Sequence, residues 1–164
     1  MKKIVICPIA LVAIVTLSLY VNGQAQDAVK ATEQTPVIIF ICEHGAAKSI
    51  VSAAYFNKLA RERHLNFRAI ARGTNPDEEI SPKVREGLQN DGVSSSEPVP
   101  KKISKTDLAG ARRVITFCLL PDDYADNVKV EHWDDLLWVS EEYSKSRDRI
   151  LERISRLLDE LKPK

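Results

Sequence analysis

The hydrophobic pattern changes abruptly at residue 37. Residues 37–41, VIIFI, are five consecutive β-formers, which suits a central strand buried on both faces. Cys42 ends this run, and the small-residue loop of residues 43–48 follows. Ser49 opens a predicted helix running to about His64, with Ala53 and Ala54 permitting close packing and Phe56 and Leu59 filling space. Residues 67–71 read as a second strand stopped by Gly73. Ser81 and Pro82 mark a helix start, hydroxyl as cap and proline at the first helical position, and Gly92 closes that helix. Residues 94–104 read as a loop, and Asp107 as the cap of a short helical turn. Residues 114–117 and 128–130 are the third and fourth strands. A last helix is predicted from Ser140 to Pro163, with Ile150, Ile154, Leu157 and Leu161 on one stripe that Leu151 and Leu158 widen. Strands alternating with helices imply a three-layer α/β fold: a four-stranded parallel sheet with helices on both faces. Ligands then bind beyond the carboxyl ends of the strands, where both Cys42 and Cys118 fall.

Upstream of residue 36 the chain has a different character. Lys2 and Lys3 precede an almost unbroken apolar run of 18 residues, from Ile4 to Val21, and Gly23-Gln24-Ala25 supplies small residues where a signal peptidase cuts. We therefore expect residues 1–25 to be a signal peptide and the protein to be exported, periplasmic or secreted. The run is also just long enough to span a bilayer, so an anchored form stays open. Residues 26–35 are polar and read as a flexible tether, leaving 36–164 as the folded domain. Among 164 residues the net charge is +1, and losing Lys2 and Lys3 leaves 22 basic against 23 acidic side chains. A near-neutral domain argues against general nucleic-acid binding. Two cysteines remain, Cys42 and Cys118, and in an oxidising compartment such a pair is commonly a disulfide. The three histidines, His44, His64 and His132, have no zinc-like spacing, so no metal and no other cofactor is expected.

The loop after the first strand carries the candidate chemistry. A buried strand feeding a tight loop and then a helix N-terminus turns backbone N–H groups inward, a nest for a tetrahedral oxyanion. Glu43, His44, Gly45, Ala46, Ala47, Lys48 and Ser49 would form that nest, with Gly45 at a position needing positive φ. The same field favours a thiolate, which makes Cys42 a candidate nucleophile. Ser49 is placed to donate a hydrogen bond to its sulfur, and His44 reads as a loop residue near the anion rather than a base.

The stretch VIIFICEHGAAKSIVSAAYFNKLARER resembles the opening strand, phosphate loop and first helix of low-molecular-weight phosphotyrosine phosphatases and their arsenate reductase relatives. ARGTNPDEEISPKVREGLQNDGV is similar to their second strand and helix, and VITFC with NVKVEHWDD to their third and fourth strands. The resemblance covers residues 36–161 and implies the phosphatase-I-like version of the α/β fold. It implies hydrolysis of phosphate monoesters through a phosphocysteine: Cys42 attacks phosphorus, the loop and Lys48 hold the oxyanion, and Ser49 tunes the sulfur. Asp135 or Asp134 would protonate the leaving oxygen. The implied partners are a small oxyanion or phosphorylated substrate and a thiol–disulfide reductant, with a membrane only if the N-terminal segment is retained.

Three departures qualify the resemblance. Lys48 stands where the family has arginine, a point charge in place of a bidentate fork. EHWDDLLWV contains no Asp-Pro, and Leu137 occupies the spacing from Trp133 at which the family places its acid. Trp133 and Trp138 would either wall an aromatic substrate or pack the loop. Cys118 matches the first resolving cysteine of thioredoxin-linked arsenate reductases, yet no further cysteine follows it. This leaves a two-cysteine reductase, with a Cys42–Cys118 disulfide, as one alternative to the phosphatase, and a non-catalytic oxyanion-binding module as another.

Overall fold

The structure, a computed structural model, describes residues 35–125, 129–135 and 142–162. The expected leader, residues 26–34 of the tether, Val128, Leu137, Trp138, Ser140 and Pro163 lie outside the described residues. Among those described, no helix is long and apolar enough to cross a membrane.

Strand β1 (Val37–Cys42) sits inside the sheet because all of its residues but the first are buried. β2 (Arg68–Gly73) pairs along one side and β3 (Ala111–Thr116) along the other, with β4 (Val130–His132) beyond β3. All pairings are parallel and the order is β2-β1-β3-β4. The register sets Cys42 beside Gly73 and Ile41 beside Thr116, and Thr116 beside His132. The carboxyl ends of all four strands therefore form one edge.

Alternation along the strands sends side chains to two cores. Ile38, Phe40, Ala69, Ala71 and Ile115 face helices α1 (Lys48–Glu62), α2 (Pro82–Asn90) and α5 (Tyr143–Leu161). Ile39, Ile41 and Val114 face Ile103 and the short helices α3 (Lys105–Ala109) and α4 (Asp122–Ala125), through Leu108 and Tyr124. The stripe expected on α5 is the buried one: Ile150, Ile154, Leu157, Leu158 and Leu161 are all in the core. Each such side chain contributes about 1.5–3 kcal/mol relative to exposure. Trp133 is also buried, packed against Phe40 (ring centroids 5.7 Å apart) and Phe117 (5.9 Å). It fills the core rather than walling a substrate.

The structure corrects several boundaries. β4 runs from Val130 and leaves out Lys129, which the sequence reading includes, because pairing with Val114 to Thr116 sets its register and tolerates exposed Glu131 and His132. β2 runs on to Gly73, held by a bridge to Lys102. β3 starts three residues earlier than its apolar run, at Ala111, and α5 starts at Tyr143. The cap of α3 is Ser104, whose Oγ accepts from the Asp107 N–H while the Asp107 carboxylate accepts from the Ser104 N–H. Asp107 is thus the third helical residue of a capping box and not the cap. Ser81 precedes α2 but makes no side-chain cap; its N–H donates to the Ala46 carbonyl (3.1 Å).

The outer edge of β2 is covered. Glu97, only 7% exposed, accepts the Ala71 N–H (2.6 Å) and pairs with Arg72, whose guanidinium also forks onto Asp107 (3.0 and 3.1 Å). Gly73 donates to the Lys101 carbonyl and accepts from the Ile103 N–H. This holds Gly73 firmly against the loop that follows β1.

Candidate active site

The loop from Cys42 to Ser49 is oriented by its carbonyls. Those of Cys42, Glu43, His44 and Ala46 accept the N–H groups of Thr74, Asn75, Asp77 and Ser81, at 3.2, 2.8, 3.0 and 3.1 Å. In a trans peptide the C=O of one residue and the N–H of the next point in opposite directions. The N–H groups of Glu43, His44, Gly45 and Ala47 are therefore turned away from residues 74–81, toward the hollow of the loop. Among the described residues they donate to no carbonyl or side chain. The Ala47 carbonyl starts α1 by accepting from Val51 (3.0 Å), so the helix N-terminus adds its dipole to the same hollow. The arrangement has the form of the nest expected from the sequence, with its N–H groups supplied by backbone alone.

Two glycines let the loop close. Gly45 has φ +61°, a conformation L side chains rarely adopt. Gly73 lies back to back with it: a Cβ on Gly73 would stand 2.8 Å from the Gly45 nitrogen and 3.1 Å from the Glu43 carbonyl oxygen. Sequence reading took Gly73 only as the end of a strand. Its part in the site follows from the β1–β2 register, which no local pattern reveals.

Cys42 is buried at the floor, and Ser49, fully buried, brings its Oγ to 3.1 Å from Sγ. A thiolate sulfur would make the hydroxyl the donor of this contact. Lys48 is the first residue of α1, half-buried. Of the remaining loop residues, Ala46 is buried, while Glu43 and His44 are exposed. His44 is held at the rim: its Nδ1 lies 3.0 Å from Asp77 Oδ1, and its Nε2 lies 3.9 Å from Glu43 Oε2. Asp77 and the positioning residues 74–80 were not singled out by sequence reasoning, and Ser81 was read only as a helix cap. The only local signal is the run NPDEE, which looks like an ordinary exposed turn.

The two aspartates proposed as acids follow β4. Asp135 is ion-paired with Arg153 on α5, and that hydrogen bond holds its carboxyl below the usual carboxylate range. Arg153 in turn lies over the Trp133 ring. Asp134 is exposed, with Oδ1 3.8 Å from His132 Nδ1. Neither makes a contact with the Cys42 loop among the described residues.

Cys118 is a free thiol, as is Cys42. It lies two residues beyond β3, where the chain bends around Thr116: that hydroxyl donates to the Cys118 carbonyl (2.7 Å) and accepts its N–H (3.2 Å). Burial pushes the Cys118 thiol up, and the nearby sulfur of Cys42 and carboxylate of Glu43 push the same way. Cys118 is thus within electrostatic reach of the nucleophile. Among the described residues no group of three or more His, Cys, Asp or Glu side chains could hold a metal ion.

The family model for low molecular weight phosphotyrosine protein phosphatases matches residues 37–131, from the first residue of β1 through the middle of β4. The chain belongs to this family. Its relatives carry two activities. A protein of Halobacterium salinarum, provisionally named an arsenate reductase, is 27% identical over 139 residues, covering 81% of this chain and 98% of that protein. The thioredoxin-dependent arsenate reductase of Corynebacterium glutamicum superposes with a TM-score of 0.62 at 23% identity, over 80% of this chain and 64% of that one. The YwlE arginine phosphatase of Bacillus subtilis superposes with a TM-score of 0.67 at 20% identity, over 78% of this chain and 99% of that one. At these identities the two structures show a shared fold. By their names these relatives comprise arsenate reductases and a phosphatase.

Proposed function

We propose that the protein hydrolyses phosphate monoesters, of the phosphotyrosine type, through a phosphocysteine formed on Cys42. The observation that carries this reading is a nucleophilic sulfur with a hydroxyl at 3.1 Å, beneath a loop whose N–H groups converge on one hollow. The nest and Lys48 hold the phosphoryl oxygens, and the Cys42 thiolate attacks phosphorus as the ester oxygen departs. Water then cleaves the S–P bond, releasing phosphate and restoring the thiolate. Lysine in place of arginine weakens the hold on the transition state, by about 2.7–4 kcal/mol if it removes the equivalent of one positioned donor. A slow enzyme is the expected result. The test is hydrolysis of an aryl phosphate by reduced protein, with acid quenching to trap the phosphorylated chain. Turnover and trapped phosphate should both vanish in Cys42→Ala. Phosphate binding without any turnover would instead support the oxyanion-binding module.

A second reading is favoured by the place of Cys118. If Cys42 attacks arsenate with loss of hydroxide, a Cys118 thiolate can attack the Cys42 sulfur, so that arsenite leaves with the electron pair and a disulfide remains. A dithiol reductant of the thioredoxin type would reopen it. Arsenate-dependent consumption of such a reductant, abolished by Cys118→Ser, supports this chemistry; its absence removes it. We also infer export, from the order of charged, apolar and small residues over 1–25.

A further inference from the structure

We propose that Arg72 is a positioning residue for the Cys42 loop, holding Gly73 against Gly45 through its grip on Glu97 and Asp107. The proposal rests on the reading, common to the phosphatase, the reductase and the binding module, that this loop holds an oxyanion.

Three charges meet at the outer edge of β2, with side chains 12% exposed at Arg72, 9% at Glu97 and 19% at Asp107. Four contacts fix the guanidinium. Nε and Nη2 donate to the two Asp107 oxygens (3.0 and 3.1 Å), and Nη1 donates to Glu97 and to the Ala71 carbonyl (2.7 Å). The acceptors are themselves held. Glu97 takes the Ala71 N–H on its other oxygen (2.6 Å), and Asp107 takes both the N–H and the hydroxyl of Ser104 (3.0 and 2.8 Å). The cost of stripping water from buried charges can exceed their attraction, so such a network is a poor source of stability. It does supply fixed geometry, because a planar fork bound on both sides admits one arrangement.

That geometry bears on the loop through Gly73, the next residue. Its N–H donates to the Lys101 carbonyl (2.8 Å) and its carbonyl accepts from Ile103 (2.9 Å). Ile103 adjoins Ser104, the cap that Asp107 bonds. Arg72 and Gly73 thus grip one short stretch, residues 103–107, from adjacent positions, and the fork sets where Gly73 sits. On its other side Gly73 backs directly onto the loop, since even a Cβ there would stand 2.8 Å from Gly45 N and 3.1 Å from Glu43 O. The two residues that follow, Thr74 and Asn75, donate to the Cys42 and Glu43 carbonyls (3.2 and 2.8 Å). A shift of Gly73 is therefore carried into the loop and tilts the N–H groups that face the hollow.

The test is Arg72→Lys, which keeps the positive charge and loses the fork. Asp107→Asn is a second variant that weakens the same contact from the other partner. Each is compared with wild type in urea midpoint, in Kd for inorganic phosphate, and in kcat and KM on an aryl phosphate. Displaced donors weaken the transition state more than the bound ground state, so kcat should change more than KM. We expect kcat to fall about tenfold, part of the ~10²-fold that a misplacement of ~1 Å costs, and phosphate Kd to rise about threefold. The double variant of Arg72→Lys and Gly73→Ala should lose less in kcat than the product of the two single losses, since both act through one displacement. A network that only stabilises the fold lowers the urea midpoint and leaves kcat and Kd at wild-type values. That result overturns the proposal, as do losses that multiply in the double variant. Failure of both single variants to fold makes the network a determinant of stability and overturns it too. If wild type binds phosphate but hydrolyses no ester, the hydrolase reading falls and Kd alone decides the proposal. If wild type binds no phosphate, the oxyanion reading falls and takes the proposal with it.

Discussion

Replacing Gly73 with alanine tests how the site is held together. The new Cβ would meet Gly45 N at 2.8 Å, Gly45 Cα at 3.0 Å and Glu43 O at 3.1 Å, all of them backbone atoms. Ordinary contact begins near 3.4 Å, so the two segments must part by about half an ångström. β2 cannot yield easily. Gly73 is pinned by its N–H to the Lys101 carbonyl (2.8 Å) and by its own carbonyl to the Ile103 N–H (2.9 Å). The loop moves instead, carrying the N–H groups of His44 and Gly45 away from the oxyanion. Overpacking of this kind costs about 1–3 kcal/mol of stability. Because one misplaced donor in an oxyanion site costs about 10²–10³ in rate, and this displacement is partial, kcat should fall about ten- to a hundredfold. The assay pairs urea unfolding with aryl phosphate turnover and phosphate-dependent melting. Stability within about 0.5 kcal/mol of wild type together with turnover within twofold would refute the back-to-back glycine argument.

Lys48→Arg restores the bidentate fork, and aryl phosphatase activity should rise by about 10²–10³-fold; unchanged turnover with phosphate binding intact would favour the binding module. Stability should fall in acid. Burial opposes ionisation of Asp91, yet hydrogen bonds from Tyr55 (2.5 Å), Arg147 and Tyr143 outweigh it and leave the carboxyl below its usual range. The fork from Arg72 likewise outweighs burial at Asp107. Groups depressed in this way stabilise the fold above their unfolded value and lose that contribution as pH drops through the lower folded value, so the urea midpoint should decline below about pH 4. Asp91→Asn should be less stable at neutral pH and show a shallower decline. Finally, the intact mass of protein recovered from an exporting host should place the mature N-terminus near Gln26, and a mass retaining residues 4–21 would show an anchored form instead.

Much of the frame of the candidate site is legible from local sequence. The apolar run of β1, a small-residue loop and a helix start are each written in consecutive residues, and together they place Cys42 on the floor of a nest. Ser49 is legible too, because a hydroxyl on the first turn of a helix faces back toward the loop that precedes it. The α5 stripe follows from its period alone. Boundaries were less legible where pairing overrides propensity. β4 has one apolar residue in three, and only its register against β3 makes it a strand. Ser104 was read as loop because a five-residue helix has almost no periodic signal.

The sequence by itself determined the α/β class, the place of Cys42 at the end of the first strand and the family to which the chain belongs, since these depend on residues adjacent in the chain or at fixed spacing. Tertiary structure decided what surrounds the nucleophile. The β1–β2 register brings Gly73 against Gly45, and the turn at residues 74–81 clamps the loop carbonyls and delivers Asp77 to His44. α5 delivers Arg153 to Asp135, a pairing that favours the ionised carboxylate. Each of these is a contact between residues 18 to 35 positions apart, set by where two packed elements cross. No local pattern encodes such a crossing, because its energy belongs to the packed sheet and helices together.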